Sequence, residues 1–385
     1  MRRVVVTGLG AVCPAGNSVG EAWDTVLAGR SAVDTISLFD ASSLPVQIAA
    51  EARSFDPTSV MPAKEARRST RFVQFAVAAA KEAVDHSRLD VTVNPDRYGC
   101  CIGVGMGAFG NIAEGVARLR DKGPRAVSPL LIPYAIPNMA SGQVPINLGL
   151  QGVNFCTATA CASGTHAIGE GFLHVGSGTA EAMVVGGAEA AISPLLVASF
   201  ARMRALSQAN DQPGQASRPF DLDRDGFVMG EGAGVLVLEE YEHARRRGAE
   251  IHAEIVGIGM SADAHHITGP RPDGAGAARG MAAGLKSADV KPEQIDYINA
   301  HGTSTIANDA CESAAIETVF GEYAAELSIS STKGVTGHCL GAAGALEGIF
   351  TVLAVSHSVV PPTANYTTPD PACRLDYTPR EPRQR

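Results

Sequence analysis

Runs of β-branched and other apolar residues recur along this 385-residue chain without the polar alternation of a half-wetted strand. They are RRVVVTG near the N-terminus, then YGCCIGVG, AMVVGGAE, GVLVLEE, AEIVGIG, IDYINAHGT and LSISSTKG. A strand with no polar face is one buried on both sides. Alanine-rich stretches of helical length, such as STRFVQFAVAAAKEAVDHS, lie between them and supply the cover. The pattern defines a layered α/β protein. Its 42 glycines gather at strand-to-helix corners, where backbones must turn sharply or approach closely. The length exceeds the usual range of one core, so two domains or one duplicated unit are expected, and no low-complexity linker divides them.

An internal comparison favours duplication. Set against each other without gaps, TACASGTHAIGEGF (159–172) and TGHCLGAAGALEGI (336–349) share Thr159 with Thr336, Gly164 with Gly341, Glu170 with Glu347 and Gly171 with Gly348. Cys161 faces His338 in that register. A second echo pairs VVTGLG (5–10) with IVGIGM (255–260), each a strand running into glycines. The two echoes come in the same order at different spacings, so the first copy carries extra loops. Halves related by a pseudo-twofold axis would bring two helix starts together at the centre, and with them Cys161 and His338.

Composition narrows the function. The net charge of -9 and the lack of a long basic run argue against a nucleic-acid surface. No uninterrupted apolar run reaches membrane-spanning length, so no membrane segment is expected. The N-terminal MRRVVVTGLG reads directly as a strand, so no secretory leader is expected. Eight reduced cysteines in a cytoplasmic protein follow, and with no CxxC pair a structural metal is not expected.

Cys161 stands among small residues where a strand gives way to a helix. Free N–H groups and the positive end of the dipole favour thiolate there, so a nucleophile is expected that needs no strong base beside it. His301 ends the apolar strand IDYINA, a position where α/β sheets commonly carry catalytic groups. His338 lies in a glycine-rich turn before an alanine-rich helix, with Lys333 upstream and Glu347 on the helix. Together they form a Cys, His, His constellation. GMGAFG (105–110) fits the dinucleotide fingerprint G-x-G-x-x-G, but about 20 residues on, where a second strand ending in an acid is wanted, NIAEGVARLRDKGPRAV offers a charged helix and a proline, so no dinucleotide is expected.

TACASGTHAIGE, NAHGTST, STKGVTGHCLGAAGALE and SRPFDLDRDGFVMGEGAGVLVLEE together resemble the β-ketoacyl-acyl carrier protein synthases of the elongating type, the synthase II class, from residue 3 to the end of the chain. The resemblance implies a thiolase-like duplicated fold, layered α-β-α-β-α. Its first half (1–250) would carry the nucleophilic cysteine and its second (251–385) both histidines. It implies that Cys161 takes an acyl chain from its carrier as a thioester and that an enolate from malonyl carrier protein attacks it, with His301 and His338 stabilising the developing charge. One such donor is worth on the order of 3 kcal/mol. Lys333 and Glu347 would be the supporting pair, and Asp309 and Glu312 would brace the loop.

By the same resemblance Thr303 and Thr305 bind the phosphopantetheine arm, which arrives on the carrier protein, so no resident cofactor is implied. Met106 and Phe200 wall the acyl pocket, and Arg67, Arg68, Arg125 and Arg204 dock the acidic acyl carrier protein, with Arg71 in the same basic stretch. Relatives continue past CRLDYTPREPRQR into a glycine-rich segment that supplies a gating phenylalanine and a second backbone donor for the acyl oxyanion. Other readings are the catalytic α subunit of a type II polyketide synthase, a non-catalytic scaffold, and more distantly a thiolase. A homodimer, or a heterodimer with a chain-length-factor-like paralogue, is expected.

Overall fold

The computed structural model describes residues 1–385. Besides a small hairpin of Asp34–Thr35 with Ile48–Ala49, the strands are β1 (Val4–Val12), β2 (Tyr98–Gly103), β3 (Asn154–Phe155), β4 (Ala182–Glu189), β5 (Gly232–Glu240), β6 (Ala253–Ile255), β7 (Tyr297–Asn299), β8 (Ser328–Ser330), β9 (Val359–Val360) and β10 (Arg383–Gln384). The helices that matter here are α1 (Arg71–Ser87), α2 (Phe109–Lys122), α3 (Met139–Leu148), α4 (Ser163–Ser177), α5 (Pro194–Arg202), α6 (Ala275–Ala288), α7 (Ile306–Phe320) and α8 (Ala343–His357).

The main sheet runs β3-β2-β4-β5-β1-β6. β3, β2 and β4 are parallel, and β5 lies antiparallel between β4 and β1. Every residue of β1 and β4 is buried, as unbroken apolar runs require. Alternate side chains feed different cores. Val184, Val235 and Val237 point into one with Phe72, Phe75 and Val77 of α1, whereas Met183, Val185, Leu236 and Leu238 point into another with Phe172 of α4 and Ile349 and Phe350 of α8. Adjacent Cys100 and Cys101 fall on opposite faces for the same reason. The layers are therefore α1 with α3, the sheet, and then the paired α4 and α8.

Of the two echoes, one holds after a shift of one residue, with Gly8 answering Gly257 and Gly10 answering Gly259. A Cβ on Gly8 or Gly10 would meet the carbonyls of Ala83 or Ala79 in α1 at 2.1 and 1.9 Å, and one on Gly257 or Gly259 would meet Ala288 N at 2.6 Å or Gly280 O at 2.0 Å in α6. In both copies glycine lets a helix lie directly on the strand. The other echo is displaced by three residues. The turns Ala160–Ala162 and Leu340–Ala342 correspond, with Ala160 and Leu340 both left-handed at φ 52° and 48°, and the 15-residue helices α4 and α8 follow each at once. Cys161 thus corresponds to Gly341, not to His338, and Gly164 to Gly344. Gly164 packs against Ala345 N and Gly344 against Thr165 N, reciprocal contacts that place the axis between them.

The second half is more broken than the first. β7 and β8 form a parallel pair, β9 pairs with β10, and β6 joins the first half's sheet along β1. Leu340–His357 is long and apolar enough to cross a bilayer by composition, with mean hydropathy 1.4, but 56% of it is buried and it forms the central helix of the core.

Gly344→Val would drive its Cβ to 2.0 Å from Thr165 Oγ1 and 3.0 Å from its backbone N. We expect a loss on the order of 3 kcal/mol in chemical denaturation. Gly20 lies in the helix Val19–Leu27, with nothing within 4 Å of an added Cβ, and Gly20→Ala should gain about 0.5 kcal/mol in the same assay.

Candidate active site

Three loops meet where the axis leaves the core. Cys161 sits in the turn entering α4, His301 follows β7 after one residue, Ala300, and His338 follows a left-handed Gly337 (φ 62°). The His338 backbone is fixed by its N–H donating to Val228 O at 2.7 Å and its carbonyl accepting from Gly230 N at 2.9 Å. Its Nε2 lies 3.0 Å from Cys161 Sγ. The ligating atoms of Cys161, His301 and His338 all lie within 4.8 Å of one another, and the two imidazoles meet edge to face with centroids 5.2 Å apart.

Buried charges hold this cluster. Glu312 accepts from the backbone N–H groups of His301 and Gly302, each at 2.7 Å. Asp309 accepts from Phe220 N at 2.8 Å, with Arg224 at 3.6 Å. Lys333 is 1% exposed; its Nζ donates to His301 O at 2.5 Å and pairs with Glu347. Lys333 and Glu347 are an interior ion pair rather than a surface one.

Burial sets the protonation states. It lowers His301 to about 3 and His338 well below the usual imidazole range, with Lys333 pushing both the same way, so both rings are neutral at working pH. Burial pushes the Cys161 thiol up to about 11, against the opposing pull of Lys333. Desolvation thus outweighs the pull of Lys333 and favours the thiol at rest, and His338 Nε2 stands where it can accept the proton.

The three residues line an open cavity of about 830 Å³ together with Gly105, Met106, Phe200, Arg204, Thr303, Thr305 and Leu340. Thr303 and Thr305 hydroxyls are 3.0 Å apart, and Thr305 also caps α7 by accepting from Asn308 N. An open groove of about 1000 Å³ beside α1 holds Lys81, Glu82 and His86 but no thiol.

Not all the arginines gather at the mouth. Arg204 lines the cavity, Arg67 and Arg68 share a separate depression with Arg118, and Arg125 is exposed on a neighbouring turn. Arg71 is not available for docking, because its guanidinium is bonded to Glu231 at 2.6 and 2.9 Å and to Ala52 O at 3.1 Å.

Sequence reasoning missed two residues. Phe227 packs edge to face on both His338 and Phe200, with centroids 5.4 Å apart in each case. Glu189, fully buried at the end of β4, accepts from the N–H groups of Gly105, Met106, Gly107 and Gly341. The G-x-G-x-x-G segment therefore does wrap a carboxyl group, one that the chain itself supplies; burial raises it to about 7 against the pull of these N–H groups. The fingerprint ahead of a second acidic strand end was the available signal.

Duplicated layers with a cysteine and two neutral imidazoles at their axis define the thiolase-like class. The chain matches the family described as Beta-ketoacyl synthase, N-terminal domain, over residues 1–244 and its C-terminal domain over residues 252–367. It is 50% identical over 383 residues to the 3-oxoacyl-(acyl-carrier-protein) synthase 2 of a Synechocystis species, covering 99% of this chain and 92% of that protein. It is also 50% identical over 384 residues to the protein of that name in Coxiella burnetii, covering 100% and 93%. A beta-ketoacyl synthase from Burkholderia phymatum superposes with TM-score 0.92 at 38% identity, over 100% of this chain and 94% of that one. A type II polyketide ketosynthase in complex with its acyl-carrier protein superposes equally at 34%, over 100% and 93%. The chain belongs to the β-ketoacyl synthase family.

With the thiol near 11, iodoacetamide labelling of Cys161 should rise about tenfold per pH unit from pH 7 to 10. Removing the Lys333 charge raises the thiol further, so Lys333→Met should slow labelling at every pH in that range. Faster labelling in that variant would mean that the Lys333 charge does not favour the thiolate.

Proposed function

We propose that the chain catalyses the decarboxylative condensation of malonyl carrier protein with an acyl chain held on Cys161, the elongation step of fatty acid synthesis. The observation that carries this is the 3.0 Å approach of His338 Nε2 to a thiol at the base of an open cavity, with His301 beside it. Relatives named 3-oxoacyl-(acyl-carrier-protein) synthase 2 stand at 50% identity, against 34% for the polyketide ketosynthase, which favours fatty acid over polyketide synthesis.

In the first half-reaction Cys161 sulfur attacks the acyl carbonyl while His338 Nε2 takes the thiol proton. The bond to pantetheine sulfur breaks, and that sulfur leaves with the proton from His338. Once acylated, Cys161 offers Nε2 no proton, and His338 exchanges with solvent in the open cavity, gaining a proton at Nε2 and losing the one at Nδ1, before Nε2–H can donate. In the second half-reaction the malonyl C–C bond breaks and carbon dioxide departs. The electron pair forms an enolate whose oxygen faces Nε2–H of His301 and His338. The enolate carbon attacks the acyl carbonyl, the new C–C bond forms, and Cys161 leaves as thiolate and takes a proton from solvent. Neutral rings suit this role, since each keeps one N–H to donate at any working pH.

Thr303 and Thr305 stand at the cavity wall as hydroxyls for the pantetheine arm. Arg67, Arg68, Arg125 and Arg204 are proposed to receive the carrier protein. A second copy is proposed along β3, the outer strand of the main sheet, and, separately, over the exposed Phe109, Ile112, Val116 and Leu119 of α2.

Incubation with dodecanoyl carrier protein should add one acyl mass to Cys161, and malonyl carrier protein should then release carbon dioxide and 3-oxoacyl product. Wild-type protein that alkylates at Cys161 yet accepts no acyl group would refute the assignment. His301→Ala should retain acylation and lose decarboxylation by about 10²–10³-fold, while His338→Ala should slow both. Arg67→Glu with Arg68→Glu should raise KM for the carrier substrate and leave iodoacetamide labelling unchanged; an unchanged KM removes these two from docking.

A further inference from the structure

Glu189 is a buried carboxylate with no cationic partner. Four backbone N–H groups satisfy it instead: Gly105 at 3.0 Å, Met106 at 3.0 and 3.2 Å, Gly107 at 3.2 Å and Gly341 at 3.2 Å. Three successive donors come from the first half, in the loop that presents Met106 to the cavity. The fourth comes from the second half, three residues past His338, at the position corresponding to Cys161.

Both flanking glycines are shaped by this carboxylate. A Cβ on Gly105 would lie 2.6 Å from Glu189 Oε2, and one on Gly341 would lie 2.8 Å from the same oxygen and 2.4 Å from Gly105 N. The loop carrying the pocket wall and the turn following the imidazole thus share a single oxygen. An ionised carboxylate accepts at every lone pair and suits a nest of N–H groups, whereas an amide would aim an NH₂ at some of the same donors.

We propose that Glu189 is a positioning residue that clasps the two halves beneath Cys161, fixing at once how far Met106 closes the cavity and how His338 meets the sulfur. The proposal rests on reading this cavity as the acyl pocket. It acts through Met106 and His338, because the carboxylate is fully buried and its oxygens are taken up by the four N–H groups. Loss of the clasp frees the 105–107 loop, so the cavity should lose discrimination by length rather than simply lose activity.

The test measures pocket shape without requiring condensation. Labelling rates of Cys161 by N-dodecyl iodoacetamide and by iodoacetamide are compared in wild type, Glu189→Gln and Glu189→Asp, with thermal unfolding followed in parallel. In wild type the long reagent should gain from the cavity. In Glu189→Gln the long-to-short rate ratio should change by about tenfold, with Glu189→Asp intermediate. A purely structural role would lower Tm and leave the ratio where it was. An unchanged ratio in a folded variant overturns the proposal, and so does failure of both variants to fold, since a residue whose removal only causes collapse is structural. Wild type that shows the length preference but performs no condensation would defeat the functional reading and leave the role of Glu189 intact.

Discussion

Contact between the backbones of two helices is the condition on which the rest of the molecule depends. α4 and α8 start side by side because Gly164 and Gly344 carry no side chain where each meets the other copy's first turn. With any Cβ there the helices would stand off, and the sulfur at the head of one would leave the imidazole at the head of the other. Apolar side chains further along, Phe172 and Val175 against Leu346, Ile349 and Phe350, then bury this contact beneath the main sheet. Packing of ordinary core residues so fixes a polar geometry at its open end.

That burial dictates the electrostatics. Away from water the imidazoles stay neutral and the thiol keeps its proton. A charge in such a place needs a partner, and Lys333 has Glu347 and the His301 carbonyl. The pair holds a cation near the sulfur without leaving it uncompensated, and it links α8 to the loop after β7. The two acids that brace that loop follow the same logic with backbone donors: Glu312 on His301 and Gly302, and Asp309 on Phe220.

Much of this was legible in the residues alone. Unbroken apolar runs announced strands covered on both faces, and Gly8 with Gly10 against Gly257 with Gly259 marked the duplication to within one residue, because each pair answers a helix lying on a strand. The central echo misled by three residues. Glycine and alanine are so frequent in TGHCLGAAGALEG that identities there carry little information, while the left-handed Ala160 and Leu340 that define the true match share no residue type. Cys161, His301 and His338 were found through their settings at a helix start and strand-end turns. Arg71 and Glu189 were not, since nothing local separates a paired arginine from a free one, or a buried acid from the end of an apolar run. Their partners, Glu231 and Gly341, lie far along the chain.

The reciprocal contacts of Gly164 and Gly344 also put the reacting atoms close to a rotation axis. The sulfur comes from one copy and both imidazoles from the other, so neither half could assemble the trio by itself, and the chemistry belongs to the seam between them.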